Sequence, residues 1–521
     1  MKQLSMDLGD WLGRRARLSP ERVALYDAQQ GMRPISYAEW NRAAARTAGL
    51  LRQLGLERGE RVAVLAYNCV SFLDIWFACG KLGAILQPLN WRLTQGELAV
   101  LLADATPSVL VYGPEFATMA AALRSQAPSV RHWVALDATT LAHPDDLPLS
   151  AREACSDSIE PATLAWDDPW VICYTGGTTG VPKGAILTHG NITFNAINTV
   201  MSWGLDAHDT AILNTPLFHT GGLNVFTAPL VMAGGASIVC RGFDADQIYD
   251  LLAAGHVTIF FGVPTMFVAL QQHPRWAEAD FSRLKLVISG GAPCPTPIFE
   301  AFWQRGVDFK TGYGLTEAGP NTFWLPPADV RRKPGAVGFP LFFVETRITN
   351  PQGEACQPDE VGELWVRGPH VCQGYWNRPA ETAQTITPEG WLRTGDLAYH
   401  DAEGYYTIVG RLKDVIISGG ENIYPAEVES ILAAHPAVAE VCIIAAPDPK
   451  WGEIPLAVAV PLPEQTLDPD DLLAFAGAHL ARYKLPRRII VQASPLPKTA
   501  AGKLDKQTLA RLYVKDTEVR K

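Results

Sequence analysis

Tyr174-Thr-Gly-Gly-Thr-Thr-Gly-Val-Pro-Lys-Gly184 lies between two apolar runs, Trp170-Val-Ile-Cys173 and Ala185-Ile-Leu-Thr188. That order predicts a strand, a glycine-rich loop and a returning strand. Gly176, Gly177 and Gly180 let the backbone turn its N–H groups toward an anion. Thr175, Thr178 and Thr179 add hydroxyl donors, and Lys183 adds positive charge. Such a loop suits a polyphosphate. It is not a Walker A loop, because G-x-x-x-x-G-K-[ST] cannot be laid over it and no helix follows at once. A Gly/Thr-rich surface hairpin is the bland alternative. The hydroxyls, the glycines and a second prolyl-lysyl pair, Pro497-Lys498, weigh against it.

Outward from this loop the pattern alternates between helix and strand. Ser36 and Glu39 form a capping-box signature, with Tyr37, Trp40, Ala44, Ala48 and Leu51 following at helical spacing. Short apolar runs recur near 62, 110, 260 and 287 between helical patterns, which predicts α/β architecture with buried strands. Residues 143–166 are acidic, contain prolines and lack a hydrophobic period, and read as a connector between two α/β subdomains. Short strands with glycine turns between 337 and 409 predict a small β-rich subdomain. Together these make a large N-terminal domain over 1–410. Gly410-Arg-Leu-Lys-Asp414 opens a small α+β C-terminal domain, 411–521, with a helix start at Pro425 and a last helix from Leu504.

At 521 residues, two domains are the minimum expectation. A net charge of −10 argues against a chain-wide nucleic-acid binder. The nine cysteines are scattered with no C-x-x-C pair, which predicts free thiols in a reducing compartment. The N-terminus lacks an apolar signal core, and the longest apolar stretch, Ile259 to Leu270, is too short to span a bilayer. A cytoplasmic protein is expected.

The phosphate loop resembles the signature of the acyl-adenylate-forming superfamily, and the resemblance recurs in order from about Leu18 to Lys506. Gly312-Tyr-Gly-Leu-Thr-Glu317, Ser289-Gly-Gly-Ala-Pro293, Trp391-Leu-Arg-Thr-Gly-Asp396, Tyr406-Thr-Ile-Val-Gly-Arg411 and Leu496-Pro-Lys-Thr-Ala-Ala-Gly-Lys503 each resemble a family element. The resemblance implies an AMP-forming acyl-CoA synthetase that uses ATP, Mg2+ and coenzyme A. Gly290, Gly291, Ala292, Pro293, Gly312, Tyr313 and Gly314 would border adenine, with Thr316 on the α-phosphate. Glu317 and Thr178 would hold Mg2+ through hard oxygen atoms. Asp396 would accept from the ribose hydroxyls, as an acceptor-only carboxylate, beside Ile408 and Arg411. Lys503 would be the catalytic lysine, an ammonium that offsets the repulsion between a carboxylate and the α-phosphate.

Pro216-Leu-Phe-His-Thr-Gly-Gly222 resembles the segment beside the substrate carboxylate, so His219 is expected to gate or orient the acid, although a buried structural histidine fits too. Phe218, Gly221, Phe261, Val263 and Thr311 would line the same mostly apolar cavity. No acid in this stretch could pair with an α-amino group, which disfavours an amino acid. A medium- or long-chain fatty acid or an aromatic acid is expected. Gly419, Gly420 and Trp451 would border the pantetheine channel. Seven basic residues against one acidic between 482 and 506, Lys484 and Arg487 among them, would suit the phosphates of coenzyme A.

A carrier-protein ligase and a luciferase-type oxygenase share the first step of this reading. A non-catalytic nucleotide-binding scaffold is the rival of another class, disfavoured because it would not need Lys503, Glu317, Asp396 and Arg411 together. The motifs do not encode oligomeric state; a homodimer is compatible with them. In the family the small domain rotates about a hinge that matches Lys413. Lys413→Pro is therefore expected to spare adenylation and slow thioester formation, with each half-reaction timed separately; equal loss of both would refute the hinge.

Overall fold

The computed structural model describes residues 7–176, 182–498 and 504–514. Two seven-stranded sheets dominate the large N-terminal domain. The first runs Leu147–Pro148, His132–Ala135, Val109–Tyr112, Arg61–Leu65, Ile85–Pro88, Pro169–Thr175 and Lys183–Thr188. The second runs Lys310–Thr311, Leu286–Ser289, Ile259–Gly262, Thr210–Leu213, Ala236–Val239, Val23–Asp27 and Arg33–Ser36. Each is parallel apart from one antiparallel edge strand. Val109–Tyr112 and Ile85–Pro88 are buried at every position, as strands covered by helices on both faces must be.

This topology corrects one expectation. Residues 143–166 do not join two subdomains: the strands on either side, His132–Ala135 and Pro169–Thr175, lie in the same sheet. The stretch itself supplies that sheet's edge strand, Leu147–Pro148, and is polar because most of the rest of it lies at the surface. The chain changes sheet after Thr188, and its first two strands already belong to the second sheet. The capping box at Ser36 and Glu39 forms as expected and starts the helix Tyr37–Gln53. That helix packs on Val70–Leu82, with Trp40 and Phe77 edge to face at 5.0 Å.

The sheets meet at their carboxyl ends. In the first, Arg61–Leu65 lies between Ile85–Pro88 and Val109–Tyr112; in the second, Thr210–Leu213 lies between Ala236–Val239 and Ile259–Gly262. The chain leaves these two strands in opposite directions, which opens a crevice at each. Asn68, just beyond the first, is buried and reaches across to the second. Its Nδ2 donates to the Thr215 carbonyl at 2.8 Å, and its Oδ1 accepts the Leu217 N–H at 2.8 Å.

The expected β-rich subdomain is a four-stranded antiparallel sheet, Glu345–Thr349, Gly362–Arg367, Leu392–His400 and Tyr406–Arg411. One face carries a ladder of rings and guanidinium groups. Arg393 lies over Trp365 at 4.8 Å, Arg347 over Trp365 at 4.2 Å and Trp391 at 4.4 Å, and Arg367 over Trp391 at 4.5 Å. The smaller C-terminal domain is built on a five-stranded sheet centred on Val438–Asp448 and Gly452–Pro461. Its helix begins at Pro425 as expected, and its last helix is Lys506–Tyr513. All nine cysteines are free. No helix among the described residues is long and apolar enough to cross a membrane.

Two histidines are buried without partners. His189 stacks on Trp170 at 4.6 Å, and neither its ring nitrogens nor those of His370 have a hydrogen-bond partner among the described residues. Burial pulls both pKa values from 6.5 down to about 4. Both rings are neutral in the fold, while the unfolded chain binds protons below about pH 6.5. Stability is therefore intact above that pH and is lost toward pH 4, with a limiting slope of about 1.4 kcal/mol per pH unit for each ring. The Tm should fall between pH 7 and 5, and His189→Gln and His370→Gln should each flatten the fall. An unchanged slope in both variants would contradict this account.

Candidate active site

Pairing of Pro169–Thr175 with Lys183–Thr188 sets Thr175 opposite Lys183, so the returning strand after the glycine-rich segment is there as expected. Thr175 Oγ1 donates to the Lys183 carbonyl at 3.4 Å. A Cβ on Gly176 would meet none of the described residues within 4 Å. Gly177, Thr178, Thr179 and Gly180 lie outside the described residues, as does Lys503.

The other edge of Lys183–Thr188 is also paired. Residues 373–376 run along it: the Ile186 N–H donates to the Gly374 carbonyl at 2.9 Å, and the Trp376 N–H to the Gly184 carbonyl at 2.7 Å. This brings in Tyr375, which the sequence reading missed. Its hydroxyl donates to Glu317 Oε1 at 2.9 Å, and the Lys183 ammonium lies 5.2 Å from its ring centre. Burial and the Glu317 charge push the Tyr375 pKa far up, so the phenol stays a donor. The same segment holds the Glu317 backbone, whose carbonyl accepts the Cys372 N–H at 2.7 Å.

Glu317 stands on the short turn Thr316–Ala318. A Cβ on Gly314 would lie 2.2 Å from the Pro320 carbonyl oxygen, so only glycine lets this turn close. Asp396 faces Arg411 directly in the register of Leu392–His400 and Tyr406–Arg411, and Ile408 pairs with Ala398. Arg411 Nε lies 2.9 Å from Asp396 Oδ1, and the Tyr313 hydroxyl donates to Oδ2 at 2.6 Å. Three residues from three separate motifs thus form one cluster. Tyr313 is raised well above its ordinary pKa by burial and then by Asp396.

Ile259–Gly262, Leu286–Ser289 and Lys310–Thr311 lie side by side, so their exit residues collect at one end of the sheet. The Gly290 N–H donates to Gly262 at 3.1 Å and the Gly312 N–H to Ser289 at 2.7 Å. Gly291 has φ +81°, and a Cβ there would touch Val263 at 3.7 Å; Ala292 and Pro293 follow it. The Phe261 ring lies where a Cβ on Gly221 would meet it at 3.7 Å and one on Gly290 at 3.0 Å. It also borders a constriction of only about 10 Å³ with Thr215, Phe226 and Ser237. Lys310, buried beside Thr311, donates to the Leu325 carbonyl at 2.7 Å, and burial brings its pKa down to about 7.

His219 precedes the short helix Thr220–Asn224, its ring 4.5 Å from that of Phe218. Phe218 meets Trp91 at 5.8 Å and the Arg92 guanidinium at 5.7 Å. Trp91 and Arg92, at the exit of Ile85–Pro88, were not anticipated. Their only sequence signal was position, just past an apolar run.

The C-terminal set lies on the small domain. Trp451 packs so closely on Gly419 that a Cβ there would lie 2.6 Å from its ring, and Gly420 has open space beside it. Arg487 stacks over Trp451 at 4.6 Å. The basic stretch is less positive than its local count. Lys484 pairs with Glu427 at 2.6 Å, Lys498 with Glu440 at 2.7 Å and Lys506 with Glu429 at 2.8 Å. Those acids come from elements distant in sequence. Lys413 lies in the turn Leu412–Asp414 between the last strand of the four-stranded sheet and the first of the small domain.

Comparison with known proteins bears on the whole chain. Residues 12–376 match the AMP-binding enzyme family, and residues 427–503 match the AMP-binding enzyme C-terminal domain. A feruloyl-CoA synthase from an Amycolatopsis species is 41% identical over 97% of this chain and 99% of its own length. An indoleacetate–CoA ligase from Aromatoleum aromaticum is 37% identical over 98% and 99%. The crystal structure of the anthranilate CoA ligase AuaEII with anthranoyl-AMP superposes with a TM-score of 0.91 at 27% identity, covering 99% of this chain and 98% of that one. Both the large and the small domain are matched, and the relatives align from end to end: this chain belongs to the AMP-binding enzyme family.

Proposed function

We propose that this protein is an AMP-forming acyl-CoA synthetase acting on an aromatic or other apolar carboxylic acid. The observation that carries the reading is the convergence, at the carboxyl ends of two facing sheets, of the Lys183–Tyr375–Glu317 group, the Tyr313–Asp396–Arg411 cluster and the glycine-lined pocket at Phe261. In the first step an oxygen of the substrate carboxylate bonds to the α-phosphorus of ATP, and the bond to the β-phosphate breaks to release pyrophosphate. In the second, the sulfur of coenzyme A bonds to the acyl carbon, its thiol proton is lost, and AMP departs with the mixed-anhydride oxygen.

In this reading Lys183 and the loop from Thr175 bind the phosphates, and Thr316 bonds the α-phosphate. Asp396 takes the ribose hydroxyls in exchange for one of its present partners. Lys503 reaches the reacting oxygens from the small domain. His219 orients the acid, whose ring would sit among Phe218, Gly221, Val263 and Thr311 once the Phe261 ring, which now fills the space beside Gly221 and Gly290, moves aside. That two relatives are named for feruloyl and indoleacetate supports an aromatic acid. Trp451, Gly419, Gly420 and Arg487 would receive the pantetheine arm and phosphates, with Lys484 available only by leaving Glu427.

The residues present fit Mg2+ delivered with ATP. No group of three His, Cys, Asp or Glu among the described residues could hold a metal alone, and Glu317 is a single carboxylate beside the loop. One carboxylate plus phosphate oxygens and water is the arrangement Mg2+ favours. When bound it would neutralise charge on the departing pyrophosphate.

Pyrophosphate release with MgATP and CoA over a panel of cinnamic-type, arylacetic, benzoic and fatty acids tests the reading. We expect release that depends on one class of acid, with its acyl-CoA seen by mass spectrometry. Release without a thioester would replace coenzyme A by a carrier protein as acceptor, and no release with any acid would sink the proposal. Asp396→Asn should raise the KM for ATP by about 10-fold or more, the worth of hydrogen bonds to a charged group. The KM for the acid should stay unchanged; a shift confined to the acid would remove Asp396 from the ribose site.

A further inference from the structure

Tyr375 belongs to none of the motifs that carry the proposed chemistry, yet it touches two of them. Its hydroxyl donates to one oxygen of Glu317, and its ring lies under the Lys183 ammonium. The side chain has little freedom to do otherwise. Tyr375 bridges to Ala185, its N–H donates to Thr382 Oγ1 at 2.9 Å, and the next residue, Trp376, is fastened through Nε1 to the Asp104 carbonyl at 3.2 Å. Gly374, at φ +137°, is what brings it there; a Cβ at that position would lie 2.5 Å from Thr382. The ring is therefore held by the strand that carries Lys183, and it holds the carboxylate on the turn opposite.

We propose that Tyr375 is a positioning residue that presents Glu317 to the metal of MgATP through a single oxygen, and so sets which metal the site accepts. This inference rests on the acyl-CoA synthetase reading. The geometry behind it is that Glu317 Oε1 already accepts the Tyr375 hydroxyl at 2.9 Å, which leaves Oε2 as the freer oxygen for coordination. A carboxylate tied in this way binds through one oxygen at a fixed angle. Mg2+ and Mn2+ accept that in near-octahedral shells, whereas Ca2+ commonly takes both oxygens of a carboxylate. The ring adds a second constraint, holding the Lys183 charge beside the same phosphates. One rigid side chain thus spaces the cation of the loop from the cation carried by the nucleotide.

The test uses the full-length protein and Tyr375→Phe, which keeps the ring under Lys183 and removes only the hydroxyl. Mn2+ is titrated into enzyme with ATP and no acid, followed by electron paramagnetic resonance, and Ca2+- and Mg2+-supported pyrophosphate release are compared. We expect Mn2+ to bind about 10-fold more weakly in the variant, the usual cost of removing a partner that orients a metal ligand. The Ca2+:Mg2+ activity ratio should rise. In a Glu317→Gln background, Tyr375→Phe should add no further loss of Mn2+ binding. Unchanged Mn2+ affinity would overturn the proposal, and so would a full loss that persists in the Glu317→Gln background. If the wild-type chain releases no pyrophosphate with any acid, the acyl-CoA synthetase reading fails, while the Mn2+ titration still decides the role of Tyr375.

Discussion

Two parallel sheets can build one site only if their carboxyl ends face each other, and Asn68 makes a polar bond that ties those ends together. Its amide spans from the exit of Arg61–Leu65 to the exit of Thr210–Leu213, with both ends satisfied and no water needed between. Removing the side chain would leave a buried carbonyl and a buried N–H unpaired, each a costly defect. The segment it grips, Thr215 to Leu217, leads straight into Phe218 and His219. The position of the expected acid-binding histidine therefore depends on a residue of the opposite sheet.

The third wall comes from the four-stranded sheet and the crossing at 373–376. That crossing extends the first sheet by pairing with Lys183–Thr188, and it reaches Glu317 on the far side. The strand Lys183–Thr188 is thus paired on both edges, which fixes its register. Across the site, both oxygens of Asp396 are already engaged by Tyr313 and Arg411. In the proposed reading, a nucleotide ribose at Asp396 would exchange one hydrogen bond for another rather than strip water from a bare buried carboxylate.

Much of this was legible from residue order, and the failures share a cause. Periodicity and capping disclosed the helices and buried strands, because those signals are local: Ser36 and Glu39 cap the same helix in sequence and in space. The motif residues were also legible, since a glycine such as Gly314 declares a backbone demand by its identity. Tyr375, Trp91 and Arg92 were not, because what makes them matter is a partner far along the chain. The basic stretch after Arg482 misled for the same reason: Glu427, Glu429 and Glu440 neutralise three of its lysines and lie outside any local count. At 143–166 a dip in hydrophobicity signified a sheet edge lying mostly at the surface, which a window of sequence cannot tell from a boundary between subdomains.

The strand Tyr406–Arg411 pairs within the large domain, and Ile416–Ser418 pairs within the small one, so residues 412–415 alone are committed to neither. A stretch that short, fully drawn out, keeps Ile416 within roughly 18 Å of Arg411. The small domain is thereby leashed at a point that also carries the guanidinium bound to Asp396. Whatever orientation it takes, the small domain stays tied to that corner, because so few residues separate the two pairings. Lengthening these residues would loosen that tie without altering Asp396, Arg411 or any strand pairing on either side.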